Sequence, residues 1–211
     1  MTTTIQELEI KILEIDRSEL AKKFKKLGAM KTLDAITYIY CFDVSKQIDF
    51  SYVPKHLHEV IHKAKVLTQD GKSLRQQNFH LRARRQANHY EFTLKYHTSQ
   101  TGNFKKEIEV NVELTAKDWR NIRRDLFLAG LHLVANQEKK RISYELEGED
   151  MHFDIDTWPR MPTYMEIEGP SEAKINEYIH RLGLENHATT NLSGEDLFKK
   201  YNLSFYSTLT F

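Results

Sequence analysis

The chain has 211 residues, 40% of them hydrophobic and 29% charged, the balance of a globular protein with a polar surface. Its 31 Lys and Arg offset 30 Asp and Glu to a formal net charge of +1, which argues against a dedicated nucleic-acid binder, a class that is usually globally basic. The single cysteine, Cys41, allows no internal disulfide; with no signal-like N-terminus and no apolar run near the roughly 20 residues of a spanning helix, the expectation is a cytoplasmic protein without membrane contact.

The first strand is expected over about 5–13, with Leu8, Ile10 and Ile12 on one face and Glu7, Glu9 and Lys11 on the other. A helix follows, with Ser18 as candidate N-cap, Leu20, Phe24 and Leu27 as its apolar stripe, and Gly28 as its stop. An aromatic, β-branched strand occupies 36–43. The segment 53–67 reads as a helix opened by Pro54, with Leu57, Val60, Ile61 and Ala64 on one side, and Asp70-Gly71 marks a turn after it. Strands resume at 78–85 and 90–96, and again at 106–114 after a turn at Thr101-Gly102-Asn103. A helix spans 115–129, where Thr115 and Asp118 form a cap signal, Trp119, Ile122 and Leu126 the apolar face, and Gly130 the end. Segments 141–146 and 152–158 pair as a hairpin around Gly148, and 164–168 is a further strand ended by Gly169-Pro170. Ser171 then caps a helix carrying Ile175, Tyr178, Ile179 and Leu182, before a short helix at 194–201 and a β-rich tail. No repeat, low-complexity run or linker divides 1–211 into more than one domain.

Charge at every second residue recurs on strand after strand. Glu7, Glu9 and Lys11 share a face, as do Arg82 with Arg84, Glu107 with Glu109, Asp154 with Asp156, and Glu166 with Glu168; Lys95 follows Thr93, and Arg141 opens its strand. An antiparallel sheet with one wet face would explain any one of these. Taken together they carry mainly acids and bases, with little of the Thr, Ser and Gln of an exposed sheet. The amphipathic helices must also cover the apolar faces. Helices outside and charges inside describe an α+β protein, a closed antiparallel barrel with an ionic lumen. Such a lumen is costly unless ions of both signs are bound there, a polyanion on the basic side and metal ions on the acidic side.

In Glu7-Leu8-Glu9-Ile10-Lys11 the chain resembles the E-x-E-x-K signature of the CYTH superfamily, the triphosphate tunnel metalloenzymes. The pieces Leu81-Arg82-Ala83-Arg84, Thr93-Leu94-Lys95, Glu107-Ile108-Glu109, Lys140-Arg141, Phe153-Asp154-Ile155-Asp156 and Met165-Glu166-Ile167-Glu168-Gly169 look like successive family strands in family order, over roughly residues 4 to 185. The resemblance implies a closed eight-stranded antiparallel β-barrel, a triphosphate tunnel, as a single CYTH-type domain over 1–211. Two features depart from it. The stretch at about 46–78 is a helical insertion, longer than the family connection and placed to cap one tunnel mouth, and the C-terminal tail lacks the tyrosine-leucine ending of many members.

By the same resemblance, Glu7, Glu9, Glu166 and Glu168 hold Mg²⁺ or Mn²⁺, hard ions suited to carboxylate oxygens. Lys11, Arg82, Arg84, Lys95 and Arg141 grip a triphosphate-containing small molecule. The catalytic set is Glu7, Glu9, Glu166, Glu168 and Lys95, while Glu107, Glu109, Asp154 and Asp156 are further metal candidates. Metal-assisted hydrolysis of inorganic triphosphate, or of a small organic one such as thiamine triphosphate, is the leading activity. The alternatives are a class IV adenylyl cyclase and a non-catalytic polyphosphate or nucleotide binding module. A general base could be a carboxylate or a lysine of depressed pKa.

Other signals weigh less. Gly71-Lys72-Ser73 has the end of a Walker A loop but Val66 where that motif needs Gly, so it reads as a turn. His58 and His62 share helical spacing without a pattern that completes a zinc site. The basic runs at 22–26 and 120–124 read as solvated helix surface, and Trp119 as core.

Overall fold

The computed structural model describes residues 2–44, 47–67, 79–101 and 104–211. The turn expected at Asp70-Gly71, the Gly71-Lys72-Ser73 run, the start of the strand at Asn78 and the Gly102-Asn103 part of the next turn lie outside them.

The chain runs β1 (Thr2–Ile12), α1 (Arg17–Leu27), β2 (Met30–Val44), a 3₁₀ turn (Lys55–Leu57), α2 (His58–Leu67), β3 (Phe79–Gln86), β4 (His89–Thr101), β5 (Phe104–Glu113), α3 (Ala116–Leu128) and β6 (Leu131–Glu145). It continues through β7 (His152–Thr157), β8 (Tyr164–Glu168), α4 (Glu172–Arg181), β9 (Thr189–Thr190), α5 (Gly194–Lys200) and β10 (Thr208–Leu209). Strands β6-β2-β3-β4-β5-β1-β8-β7 pair antiparallel in that order, and β7 returns to β6, so eight strands close a barrel. The short β9 adds to β1, and β10 lies parallel on β6.

Closure removes every sheet edge within the ring and gives each strand an inner and an outer face. Because side chains alternate, one set of residues meets the lumen and the next meets the helices. Outside, α2 and α3 cover β3, β4 and β5 through Val60, Ile61, Ala64, Ile122 and Leu126 packed on Leu81, Phe92, Leu94 and Val110. On the other flank, α1 and α4 cover β1, β7 and β8 through Leu20, Phe24, Ile175 and Tyr178 packed on Ile10, Phe153, Ile155 and Ile167. A third apolar cluster gathers α5 and the tail at one end of the barrel.

Several elements differ from their sequence signals. The N-cap of α1 is Asp16, whose Oδ1 accepts the backbone N–H groups of Ser18 at 2.7 Å and Glu19 at 3.0 Å; Ser18 already lies inside the first turn. Gly28 does end this helix, in the left-handed conformation at φ 73° that glycine adopts without a Cβ penalty. The helix expected from 53 starts at His58, after the 3₁₀ turn that Pro54 opens. Its described part lies on the outer wall with Leu81 and Phe92, and so does not cap a tunnel mouth. The strand read as 141–146 is the 15-residue β6, and Arg141 stands near its end rather than opening it. On β6 the charged Lys139 and Arg141 fill the inner face, while the outer face mixes the charged Glu138 and Lys140 with Ile142 and Tyr144, which pack with α1, so the sequence showed no clean alternation. Trp119 is half-buried, with its ring stacked 4.7 Å from that of Tyr40.

The helix-on-barrel contact is testable at Phe24, which is 0% exposed, stacks on Tyr144 at 4.3 Å and touches Phe153 at 5.1 Å. Phe24→Ala leaves a cavity between α1 and β7 and is expected to cost about 3–5 kcal/mol, read as a lower midpoint in urea denaturation.

Candidate active site

A cavity of about 250 Å³ occupies the barrel lumen. Seven carboxylates (Glu7, Glu9, Glu107, Glu109, Asp154, Glu166, Glu168) and seven Lys or Arg side chains (Lys11, Arg82, Arg84, Lys95, Lys105, Lys139, Arg141) line it. Every site residue named from the sequence reaches this lumen except Asp156, which is 0% exposed in the wall behind it.

Register explains the convergence. On β1, Glu7 lies opposite Glu107 of β5, while Glu9 and Lys11 lie opposite Glu168 and Glu166 of β8. Lys95 of β4 faces Glu109 of β5, and Asp154 of β7 faces Glu166 of β8. Three of these pairs, Glu7–Glu107, Glu9–Glu168 and Asp154–Glu166, set like charges across neighbouring strands, an arrangement that is unfavourable unless cations stand between them. Lys95 is one such cation: its Nζ lies 2.9 Å from Glu7, 3.0 Å from Glu107 and 2.9 Å from Glu109. Lys11 bonds Glu9 at 2.6 Å and lies 3.4 Å from Glu166. Arg141 forks onto Asp156 through Nε at 2.7 Å and Nη2 at 2.5 Å, reaches Glu166 at 2.7 Å, and also pairs with Asp154.

Two groups of acids could each hold a cation. Glu7, Glu9 and Glu168 present oxygens within 4.8 Å of one another, as do Asp154, Glu166 and Glu168, so Glu168 belongs to both. Burial, then the charges of Glu7 and Glu9, push Glu168 well above the ordinary carboxylate range. Glu7 is raised for the same reason, burial outweighing Lys95. Burial also opposes ionisation of Glu9 and Glu166, but Lys11 with Lys95 holds Glu9 low, and Lys11 with Arg141 brings Glu166 down to about 2. Crowded oxygens whose burial and mutual repulsion disfavour the charged form fit a hard divalent cation, which would offset that repulsion. Glu107, Glu109 and Asp156 join neither acid group among the described residues. Glu109 accepts from Arg82 at 3.0 Å, Glu107 lies 2.7 Å from Lys105, and Asp156 accepts from Lys139 at 2.6 Å.

The lumen also holds residues that sequence reasoning missed. Lys105, Lys139 and Gln137 line it, and Glu91 pairs with Arg84 at 2.5 Å. Lys105 and Glu91 lie two residues before Glu107 and Thr93, so extending the alternation by one step would have found them. Lys139 and Gln137 needed the course of β6. Lys95 is buried, yet the surrounding carboxylates raise its pKa well above the usual value, so it stays cationic. Lys139 is the opposite case: burial and then Arg141 bring it down to about 8.

A closed antiparallel barrel with an ionic lumen and helices outside defines the class of fold, and the sequence identifies the family. The chain matches the CYTH domain family over residues 62–200 and belongs to that family. No curated protein matches it in sequence. Its fold is similar to that of an adenylate cyclase candidate from Vibrio parahaemolyticus, with a TM-score of 0.60 at 12% identity over 92% of this chain and 97% of that one. It is also similar to a Hippeastrum protein described as an adenylyl cyclase candidate with a dominant triphosphatase activity, with a TM-score of 0.59 at 13% identity over 92% and 95%. A Pyrococcus horikoshii protein gives a TM-score of 0.58 at 16% identity over 85% and 92%. At these identities the likeness is one of fold. No helix among the described residues is long and apolar enough to cross a membrane.

Lys139, whose folded-state pKa of about 8 lies below the ordinary lysine value of 10.5, keeps its proton longer in the unfolded chain. Its contribution to stability is therefore smallest below pH 8 and grows as pH rises toward 10.5. Urea denaturation at pH 7 and pH 9.5 should show this gain in the native chain, and Lys139→Met should lose that component of the difference.

Proposed function

We propose that the chain is a divalent-metal-dependent triphosphatase that works as one CYTH unit, with the 46–78 stretch an insertion carrying α2. The observation that supports it is the composition of the lumen, where a basic wall and two carboxylate groups sharing Glu168 meet in a cavity of about 250 Å³. In the lumen Lys11, Arg82, Lys95, Lys105, Lys139 and Arg141 are each held by carboxylates. A polyphosphate takes over the Lys and Arg side chains only by displacing carboxylates, and those carboxylates then need a new cation. Phosphate and metal thus bind as a neutralising pair.

In this reading Glu7, Glu9 and Glu168 hold one Mg²⁺ or Mn²⁺, and Asp154 and Glu166 complete a second position with the shared Glu168. A bound divalent ion supplies charge neutralisation on the phosphate oxygens and a water of lowered pKa. Arg82, Arg84, Lys95 and Arg141 hold and orient the phosphates, Arg141 with its fork fixed by Asp156. Lys11, bonded to Glu9, draws the phosphate chain against the acidic groups. Lys139, with its low pKa of about 8, is the lysine able to accept a proton from an attacking water near neutral pH, whereas Lys95 is not.

Hydrolysis is favoured over cyclisation because a cyclase must hold a nucleobase and set the ribose hydroxyl in line with a phosphorus. The lumen's large aromatic residues, Trp158 just after β7, Tyr164 of β8 and Phe205 of the tail, are occupied by packing: Trp158 Nε1 donates to Tyr164 Oη at 3.0 Å, and the Trp158 and Phe205 rings meet Phe198 at 5.0 and 5.3 Å. The similar Hippeastrum fold described with a dominant triphosphatase activity is in keeping with this reading.

Incubation with Mg²⁺ or Mn²⁺ and tripolyphosphate, thiamine triphosphate or ATP in separate reactions, with products resolved by anion exchange, should release orthophosphate and form no cyclic AMP. Cyclic AMP and pyrophosphate from ATP would instead establish a cyclase, and binding without turnover a binding module. Glu168→Gln should lower kcat/KM by about 100-fold or more and weaken Mn²⁺ binding measured by calorimetry, because it removes the carboxylate common to both acid groups.

A further inference from the structure

β1 runs on past the strand beside it. β8 pairs its residues 168–165 with residues 9–12 of β1, and Gly169 then donates its N–H to the Leu8 carbonyl at 3.2 Å. There Pro170, which has no N–H to add to a ladder, and Ser171, the N-cap of α4, turn the chain away. On its other side β1 stays paired with β5 as far as Thr2, in a register without a bulge. Residues 2–6 therefore keep one edge on which no strand lies among the described residues.

Alternation sets which groups face that edge. The Leu8 carbonyl faces β8, so the backbone N–H and C=O groups of Gln6 and Thr4 face the same side, while those of Thr3, Ile5 and Glu7 serve the β5 ladder. Such an edge is a template for a further strand, and proteins usually guard it with charge, proline or a bulge. Residues 2–6 hold none of the three. They read Thr-Thr-Thr-Ile-Gln, rich in β-branched side chains, and Thr3, Thr4, Ile5 and Gln6 are exposed.

A groove of about 760 Å³ lies along this edge, between Ile5, Gln6 and Leu8 of β1 and the turn at 169–172. Its charged side chains are Glu7, Asp150, Glu168 and Glu172 against Lys106 and His152, so acid prevails. That balance decides between occupants. A second copy pairing β1 with β1 would set the same acidic groove against itself, as a two-fold contact must. A basic peptide brings the opposite sign.

We propose that this edge is a docking site for an extended basic segment of a partner protein, which adds antiparallel to β1 in the line that β8 leaves and lays Lys or Arg side chains over Glu7 and Glu168 at the lumen mouth. Main-chain hydrogen bonds to Thr4 and Gln6 hold the strand, and the acids select its charge. In such a pair, residues opposite Thr4 and Gln6 bond to β1 and share their outer face. The residues between them turn their amides away from β1 and share the face of Glu7. Alternate basic residues thus meet the acids without using the amides that bind β1.

The probe is the amidated peptide Thr-Val-Lys-Val-Lys-Val-Thr with an N-terminal fluorophore, its binding to the full chain read by fluorescence anisotropy. N-methylation of the valine amides, which face β1, should weaken binding about 10-fold or more, whereas N-methylation of the lysine amides should change it by less than about 3-fold. Glutamate in place of both lysines should also weaken it about 10-fold or more. Thr4→Pro removes one edge donor and leaves the β5 ladder whole, so it should weaken the parent peptide about 5-fold. Equal binding of the valine- and lysine-methylated peptides would overturn the proposal, as would equal binding of the glutamate peptide, no binding of the parent, or unchanged binding to a folded Thr4→Pro chain. The peptide comparisons use the native chain and decide the matter even where Thr4→Pro does not fold. A native dimer that Thr4→Pro converts to monomer in sedimentation would give the edge to a second copy and overturn the proposal too.

Discussion

The molecule depends on burying balanced charge inside a closed ring of strands. Each ionised side chain in the lumen has lost most of its hydration, and an isolated charge there would cost several kcal/mol. The cost is met by pairing: Lys95 is shared among three carboxylates at 2.9–3.0 Å, and Arg141 among Asp154, Asp156 and Glu166. The remaining features serve that lumen. The outer faces can be wholly apolar because the charges point in, and the helices exist to cover those faces. The two acid groups and the basic wall stay apart because neighbouring strands set them in register.

The same balance makes the site responsive to ligands. Pairing satisfies the lumen only when its acids and bases face each other directly, and the Glu7–Glu9–Glu168 corner is short of cations, which is why burial and mutual repulsion raise Glu168 and Glu7. Glu9 and Glu166, a few ångströms away, are held ionised by Lys11. Adjacent carboxylates are thus shifted in opposite directions because the lumen's cations lie unevenly among them.

The barrel's asymmetry has a comparable origin. At its acidic mouth Glu7, Asp154 and Glu168 run into surface grooves. Its other mouth is stopped because α5 and the tail bring Phe198, Phe205 and Leu209 over the ends of the strands, where the inner faces have turned apolar at Ile39, Cys41 and Ala135. The segment at 46–78, which length and helical pattern suggested as a cap, uses its described helix instead to cover Leu81 and Phe92 on the outer wall, since that wall offers an apolar surface and the mouth does not.

Period-two charge on β1, β3, β5, β7 and β8 was legible in the sequence because alternation is a local property of a strand, and it carried the family resemblance, the barrel and the principal lumen residues. Helix signals at Thr115, Ser171 and Gly28 were legible for the same reason, being interactions within a few residues. Tertiary structure alone decided how those residues group. Glu168 joins Glu7 and Glu9 in one cluster and Asp154 and Glu166 in another, which depends on the β1–β8–β7 register, and no residue records its partner's register. Lys139 and Gln137 escaped notice because β6 carries polar or charged residues on both faces from Asn136 to Arg141, so its pattern held no clear period there. The stopped mouth also lay beyond sequence reading, since it is made by contacts between residues as distant as Ile39 and Leu209, whose apolar character shows that each is buried but not against what.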